Sequence, residues 1–369
     1  MNIGMLLSNE VVRDTRVLLE ARGLARRGHR VRVVGWDRFD PSVRDGPIGD
    51  GVEIELVRTR GLMGAVESSV IRNPLFWRRA YRLARRWPAD VWWAHDLDTL
   101  PAGVWLKKAT KRPLVYDSHE DFPEMIKDDY SPRIVRAAER METRLLHSVD
   151  HVVTVDSALG EHYGASGSPV TVVMNCREDV VESWSPPTAP KFTVLYVGTF
   201  HRQRFVFEII RAVQETEGVR LRIGGYKALS EDVRRACEAS PRTTFLGPVT
   251  QAQVLPLTRE CHLVCAVLDP ANVNNRMRTP NKVFEALAAG RPLLASNGTR
   301  SGDIVASLGC GMTIAYRVEA CKEALVTLRD DPELQRRFGE AAVRAANSEY
   351  NWATQEKKLV SVLDRIASA

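Results

Sequence analysis

The stretch that most constrains this chain is residues 279–298, which read TPNKVFEALAAGRPLLASNG. Pro280 is typical of a first helical turn, where the amide that proline lacks would have no partner. Apolar residues then recur at helical spacing, and Gly290 ends the pattern. Residues 292–296, PLLAS, indicate a short buried strand. A helix that leads this directly into a strand predicts one half of a doubly wound α/β domain.

Two charged residues lie near the start of this predicted helix. Lys282 and Glu285 are three positions apart and therefore share one edge of the helix. Backbone amides at a helix N-terminus favour an anion, and a lysine adds a full positive charge. A carboxylate one turn further in suits hydroxyl groups such as a ribose diol. The pair predicts a binding site for a nucleoside diphosphate. The alternative is that both residues simply lie on a solvated edge of the helix.

The pattern P-x-K-x-x-E-A-x-A-x-G-x-P-x-x-A-S, in residues 280–296, resembles the donor-binding signature of retaining glycosyltransferase family 4. The resemblance extends over nearly the whole chain. It implies the GT-B fold, in which two Rossmann-like doubly wound domains face each other across a cleft and a C-terminal helix crosses back to the first domain. It also implies that Glu285 holds the nucleotide ribose. The family pattern has a second Glu where this chain has Met277, and Asn275, Arg276 and Arg278 are candidates to replace it.

Length and composition suit two globular domains. Hydrophobic residues make up 44% of the 369 residues, and no apolar run of the length needed to span a membrane occurs. The six scattered cysteines lack a Cys-x-x-Cys pair, which indicates reduced thiols in a cytoplasmic protein without a signal peptide. The net charge of +6 suits sugar nucleotides or an anionic membrane surface, and it is too dispersed for nucleic acid.

A Pro-rich connector at residues 185–190, SPPTAP, marks the predicted domain boundary. We assign residues 1–182 to an acceptor-binding domain on which residues 350–369 pack back. Residues 190–349 form the predicted nucleotide-sugar-binding domain.

Candidate residues of the first domain follow predicted strands. The segment YDSHED at residues 116–121 resembles the family segment in which a single histidine reaches the donor sugar, which implies that role for His119. Glu120 and Asp121 are candidates for binding acceptor hydroxyls. Arg16 lies in D-x-R-V-x-x-E-A, which resembles a pattern found in one subgroup of this family. It would reach a phosphate or the acceptor, and the alternative is an ordinary surface arginine.

Two further segments of this domain have alternative interpretations. Asp96-x-Asp98 matches the carboxylate pair of metal-dependent transferases on another fold. Here it lies in H-D-x-D-x-L-P-A-G, which resembles a pattern of the same family, and the resemblance implies a structural turn and helix cap near the cleft. Residues 73–88 predict a basic amphipathic helix that either contacts an anionic membrane or packs on the core with its arginines in water.

The second domain carries the predicted donor contacts. Gly198 lets a ligand approach the backbone, and Arg204 neutralises the diphosphate. The family has two basic residues in this loop, and Thr199 occupies the place of the first, with Arg202 as a possible substitute. The remaining donor contacts expected are Gly225, Tyr226, Val249, Gln251 and the backbone amides at Asn281.

The resulting prediction is a retaining, metal-independent transfer of a sugar from a UDP- or GDP-linked donor to a glycan, cell-envelope or natural-product (antibiotic) acceptor. His119, Arg204 and Lys282 are the expected catalytic residues, and no cofactor is expected. A nucleotide-sugar epimerase on the same fold and a non-catalytic sugar-nucleotide-binding subunit are the alternatives. The sequence offers no convincing carboxylate pair for a glycosidase. Donor base, sugar, acceptor and oligomeric state stay open.

Overall fold

A computed structural model describes residues 1–37, 43–58, 69–127, 130–227 and 229–368, with backbone alone at residues 69–73. The chain divides into two compact units. The first comprises Met1–Met174 and Glu356–Ala369, and the second comprises Asn175–Gln355. The division at Met174 precedes the boundary expected from the Pro-rich connector, because residues 175–190 belong with the second unit.

The first unit contains an eight-stranded sheet. In spatial order its strands run β3-β4-β2-β1-β5-β6-β7-β8, and all neighbours are parallel except the antiparallel pair of β3 and β4. The strands are β1 Asn2–Leu6, β2 Arg30–Trp36, β3 Gly46–Pro47, β4 Val52–Val57, β5 Val91–His95, β6 Leu114–Ser118, β7 His151–Thr154 and β8 Val170–Val172. Parallel strands require crossover connections, and helices supply most of them here.

Helices cover this sheet and bury its apolar side chains. They are α1 Thr15–Arg26, α2 Ser69–Ala84, α3 Leu100–Thr110, α4 Phe122–Met125, α5 Pro132–Leu146 and α6 Ser157–Gly164. The Asp14 carboxylate caps α1 by accepting from the Val17 amide at 3.1 Å, as its position before the apolar stripe predicts. The end of the last helix, α15 Trp352–Ser368, also belongs to this unit, where Glu356 pairs with Arg26 at 2.9 Å.

The predicted basic helix is α2, shifted toward the N-terminus relative to residues 73–88. Trp77 and Tyr81 are partly buried against the hydrophobic core and Ala84 is fully buried, so this helix packs on the core. Arg85 and Arg86 are exposed beyond the helix end. In the described part of the chain, no helix combines the length and apolarity needed to cross a membrane.

The second unit contains a fully parallel six-stranded sheet of order β11-β10-β9-β12-β13-β14. Its strands are β9 Phe192–Thr199, β10 Val219–Tyr226, β11 Thr243–Gly247, β12 Leu263–Ala266, β13 Leu293–Ser296 and β14 Gly311–Ile314. Its helices are α7 Val206–Gln214, α8 Ser230–Glu238, α9 Gln251–Glu260, α10 Val273–Met277, α11 Asn281–Ala289, α12 Arg300–Leu308, α13 Val318–Asp330 and α14 Pro332–Ser348. The strand order reverses between β9 and β12, where doubly wound sheets bind ligands.

The stretch that opened the sequence analysis folds as expected. Helix α11 begins directly after Pro280 and ends at Gly290, whose φ of 64° is the left-handed conformation that glycine favours. Strand β13 follows at Leu293 and is completely buried. Both predicted α/β domains, each with a parallel sheet, are therefore confirmed. All six cysteines lie in the described part of the chain as free, buried thiols.

Candidate active site

Two glycines lie side by side at the carboxyl ends of β9 and β10. Gly198 is the register partner of Gly225. A Cβ on Gly225 would overlap the carbonyl oxygen of Gly198, so no other residue fits there without moving the strand. A Cβ on Gly198 would come to 3.5 Å from the Lys282 ammonium nitrogen. The two predicted donor-contact glycines thus bring bare backbone to the switch point of the sheet.

Lys282 places a cation inside the protein at this point. The residue is 5% exposed, and its Nζ has no hydrogen-bond partner among the described residues. It lies 3.5 Å from the centroid of the Tyr196 ring, and the Tyr196 hydroxyl in turn donates to the Thr199 carbonyl at 2.9 Å. Burial, reinforced by the positive charge of Arg204, lowers the pKa of Lys282 to about 7. An anion at this position would restore the charge of the ammonium.

Glu285 lies one turn further along α11, and is 7% exposed. Burial raises the pKa of Glu285, although the charges of Arg177 and Lys282 oppose the shift. The Gln251 side chain also lies close enough to oppose the rise in the pKa of this carboxylate. The residue before α11 is Pro280, whose side chain cannot cap the helix, and Asn281 beside it is exposed. The structure therefore brings together Lys282, Glu285, Gln251 and Asn281.

Arg204 ends the loop that leaves β9. It is half-buried and close enough to Lys282 and Tyr196 to shift the pKa of both groups. The next residue, Phe205, is completely buried with a φ of 56°, a conformation that costs a bulky residue free energy. The Tyr316 hydroxyl accepts from the Phe205 amide at 3.2 Å, and donates to the Arg202 carbonyl at 3.3 Å. Tyr316 thereby holds the strained turn that positions Arg204.

Asn275, Arg276 and Arg278 are the candidates to replace the glutamate that the family pattern has at the position of Met277. Asn275 is 4% exposed, and its side chain donates to the Asp269 carbonyl at 3.0 Å. These contacts hold the Asn275 side chain against the neighbouring loops. Arg276 is exposed and donates to the Pro270 carbonyl at 3.0 Å. Met277 and Arg278 are half-buried.

The other predicted donor contacts line the same edge of the sheet. Tyr226 ends β10 and is 57% exposed. Val249 follows β11 and is half-buried against Gly224, where any Cβ would overlap its side chain. Gln251 begins α9 and is exposed.

In the first unit, Arg16 turns inward rather than toward solvent. It is 8% exposed, and its guanidinium donates to both Asp117 oxygens at 2.8 and 3.3 Å and to the Val173 carbonyl at 2.8 Å. It also pairs with the fully buried Glu20 at 2.9 Å. Burial raises the pKa of Glu20 to about 8. This arrangement supports a role for Arg16 in orienting Asp117 more than the predicted contact with a phosphate or acceptor.

Asp117 connects two histidines. It is the register partner of His95 on the neighbouring strand, and one of its oxygens lies 2.9 Å from both His95 Nδ1 and His119 Nε2. Burial by itself would raise the pKa of Asp117, but Arg16 and His119 outweigh it and hold the pKa well below the usual range. Burial lowers the pKa of His95, whose neutral ring donates from Nδ1.

His119 is therefore not the isolated histidine that the sequence indicates. Besides Asp117 at Nε2, its Nδ1 lies 3.3 Å from Asp96, and its backbone amide donates to the same carboxylate at 3.0 Å. Burial opposes protonation, yet Asp96 and Asp117 raise the pKa of His119 to about 10. Its imidazolium is engaged at both nitrogens. A substrate hydroxyl would have to replace the longer contact, which is the one with Asp96.

The structure has the turn expected at Asp96 and Asp98, because the Thr99 amide donates to the Asp96 carbonyl at 3.2 Å, and it corrects the expected helix cap. Thr99 is the residue before α3, Asp96 serves His119 from a left-handed conformation at φ 61°, and the Asp98 carboxylate accepts from Ser8. Asp121 instead caps α4 by accepting from the Glu124 amide at 3.0 Å. The predicted acceptor residues Glu120 and Asp121 are both half-buried.

One group of described residues has donor atoms close enough for a metal ion. It consists of His95, Asp117 and His119, whose ligand atoms lie within 4.8 Å of one another. The residues fit a metal poorly, because Arg16 binds both oxygens of Asp117 and a protonated His119 cannot coordinate.

Sequence reasoning missed Tyr196, Tyr316, His95, Asp117 and Glu20. Two of them had a usable signal, since His95 and Asp117 end neighbouring parallel strands and so meet at one sheet edge. Tyr196 and Tyr316 gave none, because their contacts with Lys282 and the Arg204 loop arise from packing.

Two family models match the chain in succession. Residues 14–176 match the glycosyl transferase 4-like domain, and residues 191–331 match the glycosyl transferases group 1. A comparison of the sequence with curated proteins found no match.

Solved structures of similar fold cover nearly the full length of both chains. Sucrose-phosphate synthase from Thermosynechococcus elongatus superposes with a TM-score of 0.82 at 13% identity and covers 100% of each chain. HepE from Anabaena, solved in complex with UDP, gives 0.74 at 16% identity over 99% of this chain and 100% of its own. WaaG, a glycosyltransferase involved in lipopolysaccharide biosynthesis, gives 0.69 at 15% identity over 98% and 99%. At these identities the likeness shows the fold.

Proposed function

Because the chain belongs to the group 1 glycosyltransferases, with the GT-B fold and a glycosyl transferase 4-like domain in its first half, we propose that it transfers a sugar from a UDP- or GDP-linked donor. The acceptor is a hydroxyl group, and the configuration of the sugar is retained. The observation that carries the proposal is the buried Lys282 ammonium, which has no hydrogen-bond partner among the described residues. It lies beside backbone that only glycine allows and on the first turn of α11, whose N-cap residue is a proline with no capping group. HepE has been solved with UDP and with UDP-glucose, which supports the same class of donor here.

In this proposal the diphosphate binds at Lys282, Arg204 and the first amides of α11. The leaving group gains negative charge as its bond to the sugar breaks, and these groups stabilise that charge in a buried setting where electrostatic interactions are strong. Glu285 accepts hydrogen bonds from the ribose hydroxyls, with the Gln251 side chain close to the carboxylate. The protein's own cations carry out the charge neutralisation, so no divalent metal is required.

The acceptor hydroxyl attacks the anomeric carbon on the face that the leaving group departs from, and a phosphate oxygen takes its proton. This stereochemistry rests on the family resemblance. We assign to His119 a hydrogen bond to a sugar hydroxyl from its imidazolium, made when that hydroxyl replaces Asp96 at Nδ1. Arg16 and His95 act behind it by holding Asp117 in place, and Asp117 in turn fixes the ring and favours its protonated form.

The test is incubation with a panel of UDP- and GDP-sugars, with and without candidate acceptors such as glycans, cell-envelope precursors and hydroxylated natural products. We expect free nucleoside diphosphate to be released in step with a glycosylated product, whose anomeric configuration is read by NMR. A new epimeric nucleotide sugar formed without acceptor would identify an epimerase. Binding of a donor with no turnover on any acceptor would favour a partner subunit, and an inverted product would refute retention.

A further inference from the structure

A cavity of about 550 Å³ lies in the first unit, away from every residue assigned above. It is at the sheet edge where β6, β7 and β8 begin, whereas His119 follows the opposite end of β6. The ends of α3 and α15 form two of its walls. Its volume is in the range of small-molecule sites.

The charge of the lining is strongly unbalanced. Five cationic side chains face one carboxylate: Lys107, Lys108, Lys111, Arg112 and Arg365 against Asp150. Asp150 is already engaged, since it accepts from the Lys107 ammonium at 2.6 and 2.7 Å and from the Leu114 amide at 2.8 Å.

The other four cations are exposed, and none forms an ion pair with another side chain within the described ranges. Their mutual repulsion is lowest when an anion lies between them.

The backbone at Lys111 adds an independent observation. Lys111 follows the last turn of α3 with a φ of 58°, where glycine or asparagine is favoured and a lysine costs free energy. The dipole of α3 alone would account for cations in its last turn. It does not account for Arg365, which reaches the same cavity from the end of α15.

We propose that this cavity binds a phosphate group carried on an organic molecule, at a site separate from the nucleoside-diphosphate site. Phosphate matches the lining because guanidinium groups bind its oxygens in pairs and lysines add point charge. Pro113, Pro169 and Ile366 offer apolar surface for the organic part. The phosphate group comes either from a small phosphorylated metabolite or from a phospholipid head group, and the experiment separates these sources.

The test compares the parent with a variant that combines Lys108→Gln, Lys111→Asn, Arg112→Gln and Arg365→Gln. Asn at position 111 keeps the left-handed turn accessible. The readout is the ring resonance of His151, which lines the cavity, identified by its absence in His151→Gln. Titration with inorganic pyrophosphate should shift this resonance saturably in the parent, and the variant should bind at least tenfold more weakly. Its affinity for a nucleoside diphosphate should not change.

The matched control removes four exposed positive charges from a helix face outside the cavity: Arg133, Arg136, Arg140 and Arg144 of α5, each changed to Gln. It should bind pyrophosphate within about twofold of the parent. A parallel arm measures co-sedimentation with phosphatidylglycerol vesicles, and loss of sedimentation in the cavity variant alone identifies a lipid source. An unshifted His151 resonance together with no cavity-dependent vesicle binding would overturn the proposal. So would equal weakening in the cavity and control variants, because that indicates general charge attraction.

Discussion

Lys282 should take up a proton when a nucleoside-diphosphate sugar binds. In the free protein, burial and the neighbouring Arg204 lower its pKa to about 7. At about pH 8, roughly one in ten of the side chains is then charged. A diphosphate in contact with the ammonium restores a pKa near or above the ordinary value, so binding should take up about 0.8–0.9 proton per site. At about pH 6 most of the side chains are already charged, and the uptake should fall to roughly 0.1 proton.

Isothermal titration calorimetry in two buffers of different ionisation enthalpy counts these protons. A nucleotide sugar is the appropriate ligand, because its diphosphate does not titrate near neutral pH. Lys282→Arg is the matched control, since arginine stays charged throughout and should remove the uptake while keeping the cation. Asp96 and Glu20 also have shifted pKa values, about 7 and about 8, but they are the same in both proteins. Equal uptake by parent and Lys282→Arg, or none by the parent at about pH 8, would refute the reasoning.

Four further outcomes are expected. Glu285→Ala should weaken nucleoside diphosphate binding by roughly 1–3 kcal/mol in calorimetry, and an unchanged affinity would remove Glu285 from the ribose site. His119→Ala should lower turnover about a hundredfold, while the affinity for the bare nucleoside diphosphate stays the same, and full turnover in a folded variant would contradict its role. Turnover should survive excess chelator, and loss that magnesium or manganese reverses would point to a metal site. Lys282 should contribute stability that rises with pH between about 7 and 10.5, because the unfolded chain binds its proton more tightly there. His119 acts in the opposite sense but is present in both proteins, so the difference between the thermal melts of the parent and Lys282→Met measures the Lys282 slope.

The sequence predicts the elements well wherever local rules decide them. Pro280 and Gly290 delimit α11 through their own backbone restrictions, and Asp14 caps α1 because a short acceptor before an apolar stripe has few other uses. Lys282 and Glu285 then lie on one helix edge by spacing alone. Their location inside the protein could not be predicted from that spacing, because it depends on how α11 packs on the sheet.

The first unit shows the opposite case. Asp117 meets His95 through the register of β5 and β6, and it meets Arg16 because α1 packs with its start near the end of the sheet. These contacts join residues far apart in the chain, so no local pattern reveals them. The isolated histidine of the sequence is thus an imidazolium between two carboxylates, and the apparent surface arginine, Arg16, is a buried cation that pairs with Asp117 and Glu20.

The pairing of Gly198 with Gly225 has a practical consequence for anyone who wishes to change the donor preference by random mutagenesis. The two positions are coupled, because any side chain at 225 collides with the backbone at 198 rather than with a flexible neighbour. A library that varies Gly225 will therefore contain many clones in which the strand has to shift to relieve this overlap. Tyr226, which ends β10 and is exposed, is a better position to vary.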